Sequence, residues 1–205
     1  MYTNAPDAHS AQLKAATREV GSVQIQNAGT LGGNLCNASP AADGVPALLS
    51  LEARVELRSE SRTRVLPLSD FLLGPRRTAL AAGEILSAVL IPDVSGQGGF
   101  LKLGARRYLV ISIAMVAARI AVSEGRISAA ALAVGACSPV ACRLPDQEAA
   151  LIGCPVAAAV SAIDAALILP VLAPIDDPRA DAGYRQIAAV ELLRRLVGDM
   201  TGAAR

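Results

Sequence analysis

Residues 29–34 read Gly-Thr-Leu-Gly-Gly-Asn, three glycines within five positions, between an alternating segment and an apolar one. A cluster of this density predicts a sharp turn with positive φ, and a main chain that a ligand can approach closely. Exposed N–H groups on such a turn bind phosphate or polar ring oxygens. Thr30, Asn34 and Ser39 add neutral hydrogen-bonding groups, and Asp43 adds an acceptor suited to a sugar hydroxyl. The segment is not a Walker A loop, because no Gly-Lys-Ser/Thr follows. It is not a dinucleotide fingerprint either, because Gly-x-Gly-x-x-Gly is absent. On pattern alone it reads equally as a tight structural turn and as a nucleotide-binding loop.

The flanking sequence fixes a coarse architecture. Leu13, Ala16 and Val20 are spaced for a helix over residues 8–20, with Gly21 as its stop. Residues 23–28 alternate apolar and polar like a half-buried strand. Asp43 stands where it can cap a short helix carrying Pro46, Leu48, Leu49 and Leu51. Residues 54–58 and 63–68 alternate about a polar turn and predict a hairpin, and 86–91 is a further strand ended by Pro92. Flexible residues gather at 93–99, the best linker. Beyond it, 100–105 reads as a strand. Two apolar stretches, 111–122 and 127–134, are joined by Ser123-Glu124-Gly125-Arg126, a natural hairpin turn. Residues 146–152, 155–168 and 181–200 carry helical periodicity. In the last helix Tyr184, Ile187, Ala188, Leu192, Leu196 and Met200 form one stripe, predicted to be core, with Arg185, Arg194 and Arg195 off it. The order predicts two α+β domains, residues 1–95 and 96–205.

Composition removes several function classes. Of the 205 residues 53% are apolar and 18% charged, with a formal net charge of +1, which speaks against a disordered chain and a basic nucleic-acid binder. Three Tyr, two Phe and no Trp leave little for base stacking. No apolar run reaches the roughly 18 residues of a membrane helix. The nearest, from residue 109, is interrupted by Ser112 and Arg119, and the first residues lack the features of a signal peptide, so a cytoplasmic protein is expected. Cys36, Cys137, Cys142 and Cys154 form no Cys-x-x-Cys pair, and His9 is the only histidine. Reduced thiols and no metal site are therefore expected. Without a second histidine or a triad, no side chain is assigned a catalytic role. Seventeen of the nineteen basic residues are Arg, and Lys102 lies within an apolar strand, where a buried ammonium needs a partner or an edge to snorkel from.

Residues 20–43, Val-Gly-Ser-Val-Gln-Ile-Gln-Asn-Ala-Gly-Thr-Leu-Gly-Gly-Asn-Leu-Cys-Asn-Ala-Ser-Pro-Ala-Ala-Asp, resemble the second flavin motif of the FAD-binding (medium) subunit of molybdenum hydroxylases, the family of xanthine dehydrogenase and aerobic carbon monoxide dehydrogenase. Leu68-Ser-Asp-Phe-Leu-Leu-Gly-Pro75, Glu84-Ile-Leu86, Ile91-Pro92, and Phe100-Leu-Lys-Leu-Gly-Ala-Arg-Arg107 followed by Ile111-Ser-Ile-Ala114 continue the likeness in order, and 181–197 resemble the last helix of its C-terminal domain. The resemblance implies a flavin subdomain up to about residue 95. A three-stranded antiparallel sheet with a three-helix bundle would follow. It implies FAD contacts at Gly29, Thr30, Gly32, Gly33, Asn34, Cys36, Ala42 and Asp43, joined by Ile25, Leu86 and Lys102. It further implies a flavin that relays electrons from iron–sulfur clusters to NAD, a quinone or oxygen, with iron–sulfur and molybdopterin subunits as partners. Two departures stand out. Gln26 occupies a position where the family mostly has Arg. Nothing before Gln24 supplies the family's first glycine-rich flavin loop, so a separate chain is expected to carry it, or the site is incomplete. The alternative function is a non-catalytic scaffold with such an incomplete site.

Overall fold

The computed structural model describes residues 7–107 and 109–202, with side chains from residue 11 onward. The expectations for the first six residues and for the His9 side chain lie outside the described residues. Four helices come first: α1 (Asp7–Arg18), α2 (Val23–Ala28), α3 (Leu31–Asn37) and α4 (Gly44–Ser50). The hairpin of β1 (Arg54–Arg58) and β2 (Thr63–Pro67) follows, then α5 (Leu68–Phe71), the small pair β3 (Leu72–Gly74) and β4 (Arg77–Thr78), and β5 (Ile85–Leu90). The expected hairpin therefore forms, and β5 joins its other edge in an antiparallel sheet of order β2-β1-β5. The second half holds β6 (Gln97–Leu103), β7 (Ala114–Ser123), β8 (Arg126–Gly135) and β9 (Cys142–Arg143), then α6 (Pro145–Leu151), α7 (Ala165–Ile168) and α8 (Ala182–Thr201). The α+β class stands, with two-residue β9 making the second antiparallel sheet four-stranded, in the order β6-β7-β8-β9.

That sheet is buried on both faces. The alternation of β7 sends Ala114, Val116, Ala118 and Ile120 into a core shared with α6 and α8. It sends Met115 and Ala117 into a core shared with α1, α4 and β1. A strand covered on both sides reads as a continuous apolar run rather than as an alternation, which is why residues 111–122 looked uniformly apolar. Gly98 and Gly99, counted as linker in the sequence, lie inside β6. Their role is proximity. A Cβ on Gly98 would land on the Gln12 amide of α1, and one on Gly99 would lie 2.7 Å from the Leu196 Cδ1 of α8. Two adjacent glycines thus let helices approach opposite faces of one strand.

The two residues that interrupt the apolar run are among the polar ties between the halves. Helix α4 is buried along its whole length. Arg119 reaches its C-terminal end, where Nε donates to Ser50 O at 3.0 Å, and Arg143 Nη1 donates to Leu49 O at 3.0 Å. Cations at a helix C-terminus satisfy orphan carbonyls and meet the favourable end of the dipole. Ser112 reaches the other end, at Asp43.

Three local expectations need correction. Residues 23–28 are helical, not a strand: Ser22 Oγ accepts from Ile25 N, and Gln26 Nε2 donates to Arg18 O and Val20 O, each at 3.1 Å. Among the described residues no strand pairs with the segment, and local capping decides its conformation. Residues 155–168 are not one helix. A 3₁₀ turn (Val156–Ala158) ends early, buried Gln147 takes Ala162 O and Asp164 N, and Asp164 caps a new helix, α7. On α8 the buried face is shifted by one position from the predicted stripe. Ile187 is 72% exposed, whereas Arg185 is 2% exposed. Arg185 is tolerated there because Nη1 donates to Ile113 O (2.6 Å) and Ala136 O (3.2 Å), and Nη2 pairs with Asp177 Oδ1 at 2.8 Å.

Candidate functional site

A cleft of about 680 Å³ opens where the ends of α1, α2, α3 and α4 meet. One wall is the C-terminal end of α1, with Thr17, Arg18 and Val20. α2 contributes Ile25, Gln26 and Ala28, α3 and its entry contribute Gly29, Thr30, Leu31, Gly33, Asn34 and Asn37, and Gly44 opens α4 beside Asn34 and Leu31.

The glycine segment is built differently from the predicted turn. None of Gly29, Gly32 and Gly33 has positive φ, and Gly29 sits at φ −68°. Thr30 is instead the N-cap of α3: its Oγ1 accepts from Gly33 N at 2.9 Å, and its carbonyl accepts from Asn34 N at 3.0 Å. The side-chain cap decides for helix over turn, because it satisfies donors that a loop would leave to water. The missing Cβ atoms still matter. One on Gly33 would lie 2.9 Å from Thr30 Oγ1, and one on Gly44 would lie 3.2 Å from Asn34 Oδ1.

Of the sequence-predicted residues, Ile25, Gly29, Thr30, Gly33 and Asn34 line the cleft. Gly32 faces away, towards half-buried Leu86, whose Cδ2 would be 3.8 Å from a Cβ there. Ala42 is buried in the core and Cys36 is exposed on α3. Asp43 is buried and makes no side-chain cap bond to α4, so the expected capping role is absent. Its Oδ1 accepts from Ser112 Oγ at 2.7 Å and its Oδ2 from Lys102 Nζ at 2.8 Å. Burial pushes the Asp43 carboxyl up, while the bonds from Lys102 and Ser112 pull against that shift. Lys102 therefore has a buried partner rather than a strand edge to snorkel from. Thr17, Arg18, Asn37 and Gly44 were missed by the sequence reading. Asn37 had a legible signal, since it lies three residues after Asn34 on the same helix face.

The lining suits a dinucleotide fragment with a ring, hydroxyls and phosphate. Val20, Ile25 and Leu31 are apolar, Thr17 and Asn37 are neutral polar groups, and Arg18 is a cation. Asn34 Oδ1 is buried with no hydrogen-bond partner, although its residue lines the cleft. A buried acceptor of this kind calls for a donor, which a ligand N–H or hydroxyl would supply.

Residues 2–94 match the family described as FAD binding domain in molybdopterin dehydrogenase, and residues 100–200 match the CO dehydrogenase flavoprotein C-terminal domain. The chain belongs to the FAD-binding subunits of the molybdenum hydroxylase family. Its relatives include the nicotinate dehydrogenase FAD-subunit of Eubacterium barkeri, 46% identical over 51% of this chain and 37% of that protein. The nicotine 6-hydroxylase medium subunit of Paenarthrobacter nicotinovorans is 33% identical over 92% of this chain and 66% of that subunit. The chain thus spans just over a third and just under two thirds of the lengths of those two relatives. Among solved structures, a chain of reconstituted CO dehydrogenase from Oligotropha carboxidovorans superposes with a TM-score of 0.87 at 27% identity, covering 97% of this chain and 71% of that one. Among the described residues no helix is long and apolar enough to cross a membrane, and no cluster of His, Cys, Asp and Glu could hold a metal.

Proposed function

We propose that the cleft holds part of an FAD molecule and that the chain acts as the flavin-bearing component of a molybdenum hydroxylase. Residues 1–95 form the flavin unit and 96–205 the C-terminal unit. Bound there, a flavin would supply redox chemistry, a relay between a partner's iron–sulfur clusters and an acceptor such as NAD, a quinone or oxygen. A molybdopterin-bearing subunit completes the assembly. The residues of this chain bind and orient: Asn34 offers its unpaired acceptor, Thr30 fixes the start of α3, Arg18 faces anionic groups, and Ile25 and Leu31 exclude water from an apolar ring. No proton transfer is assigned to any of them.

The buried, unpaired Oδ1 of Asn34, a residue that lines a cleft of ligand size, carries this reading. Gly33→Val tests it. The new side chain would displace Thr30 Oγ1 from its cap bond and fill the cleft beside Asn34. FAD titrated into the full chain, with any partner chains it is purified with, should bind at least about tenfold more weakly, on the scale of one lost hydrogen bond to a ligand. Unchanged affinity would refute the reading. A wild-type protein that takes up no FAD in any assembly would favour the scaffold alternative.

A further inference from the structure

Gln26 belongs to α2 but reaches back to α1. Its backbone is fixed inside α2, where its N–H donates to Ser22 O at 2.9 Å. Its side chain leaves that helix, and Nε2 donates to Arg18 O and to Val20 O, each at 3.1 Å. An amide nitrogen carries two hydrogens, so both are spent. Arg18, Val20 and Gln26 all line the cleft. One side chain therefore joins two of the segments that form the cleft, at residues a bound ligand would meet.

The need for such a clasp follows from the local structure. The last C=O groups of a helix have no partner within it. At the end of α1 the N–H groups of Glu19 and Val20 bond to Ala16 O and Thr17 O, and the chain then turns at Gly21, with φ +50°. The corner is tight, since a Cβ on Gly21 would lie 2.7 Å from Ile25 Cδ1. Helix α2 starts at once, has six residues and buries none of them. A helix that short has no stability of its own, and no apolar core holds this one in place. Its position against α1 is left to the Gly21 corner and to the two bonds of Gln26. We propose that Gln26 is a positioning residue for cofactor binding, whose amide clasps α2 to the end of α1 and so sets Ile25 and Ala28 against Arg18 and Val20 in the cleft. The inference rests on the flavin reading for its effect on binding, whereas the clasp is a property of the protein alone.

The test compares Gln26→Met, Gln26→Asn and Gln26→Arg in the full chain with any partner chains that accompany it. Amide hydrogen exchange of flavin-free protein is one readout, and titration with FAD is the other. Gln26→Met keeps the length of the side chain and removes both donors. It should raise exchange over residues 19–29 about tenfold while leaving α8 unchanged, and weaken FAD binding about fivefold, on the scale of one or two exposed hydrogen bonds. Gln26→Asn keeps the amide but falls one methylene short, so it should behave like Gln26→Met, and it takes that variant's place if Gln26→Met does not fold. Gln26→Arg offers donors to the same two carbonyls and should bring exchange back towards wild type. Weaker FAD binding with unchanged exchange would make Gln26 a direct ligand and overturn the proposal. A uniform rise in exchange across the chain would overturn it too, as would raised local exchange with unchanged FAD affinity. If wild-type protein takes up no FAD, the flavin reading fails and the role in cofactor binding with it, while the exchange comparison still decides whether Gln26 clasps the two helices.

Discussion

Replacing Arg119 with Met isolates the polar tie between the sheet and α4. Methionine keeps an unbranched stem of similar length, so the packing of the aliphatic part is retained and the guanidinium alone is lost. Three bonds go with it: to Ser50 O at 3.0 Å, to Ser95 O at 2.7 Å and to Glu52 Oε1 at 2.5 Å. They are not equal. Ser95 is exposed and the Glu52 side chain is 49% exposed, so both acceptors regain water. Ser50 is fully buried, and its carbonyl loses a donor where water does not reach. The cost is therefore dominated by one stranded buried acceptor and one lost charge-assisted bond, about 2–4 kcal/mol in all. For a chain of this length that lowers Tm by about 2–4 °C per kcal/mol, so a fall of about 4–16 °C is expected. Urea denaturation of wild type, Arg119→Met and Arg195→Ala is the assay. Arg195 is the control, because it too bonds a glutamate, at 2.7 Å, yet its side chain is 67% exposed and the pair is a surface i,i+4 contact. Its loss should cost only about 0.3–0.5 kcal/mol. If Arg119→Met destabilises no more than the control, burial is not what gives the Arg119 tie its strength.

Two further outcomes follow from the electrostatics. Glu84 accepts from Arg64 Nε and Nη2, from Ala81 N and from Arg62 Nη2, and the Arg64 bonds above all hold its carboxyl down at about 2, from an ordinary value of 4.5. A lowered folded-state value means a contribution present above the ordinary pKa and lost as pH falls from about 4.5 towards 2. Glu84→Gln should flatten that acid limb of the stability curve in urea melts, and an unaltered limb would refute the assignment. Burial pushes both thiols up, Cys137 to about 12, but the Cys36 side chain is exposed to reagent and that of Cys137 is buried. A maleimide at neutral pH should therefore modify Cys36 readily and Cys137 only after unfolding, and mass spectrometry showing equal labelling of the two in folded protein would contradict the structure.

The β1–β2 hairpin was legible because its alternation matches its burial, and β7 and β8 because two apolar runs about a turn signal suit strands covered on both faces. Residues 23–28 were not, since the alternation Val-Gln-Ile-Gln is equally available to a short exposed helix, and Ser22 and Gln26 settle the matter through bonds to the backbone. The glycine segment was read for the torsional freedom of its residues, while Thr30 determined the outcome by capping. Asp43 and Lys102 were each singled out alone. Their pairing across 59 positions had no local signal. Arg185 lies off the apolar stripe for a related reason: its acceptors on Ile113 and Ala136, and its ion-pair partner Asp177, are not neighbours on its helix. At the cleft, the motif located α3 and its cap, but the wall from α1 came from a segment that looked like an ordinary amphipathic helix.

The sheet that serves two cores also dictates an order of events at the ribosome. Phe100, Met115, Ala117 and Ala133 complete the apolar cluster begun by residues 13–72, so the first half of the chain cannot close its own interior. About 40 residues separate the end of that half from the end of β8, and at about 5–20 residues per second their synthesis takes about 2–8 s. During that interval α4 has neither its apolar cover nor the arginines that meet its last carbonyls. Nascent chains of about 95 residues are thus the species on which a chaperone has most to hold, and release from it is timed by the emergence of β7 and β8.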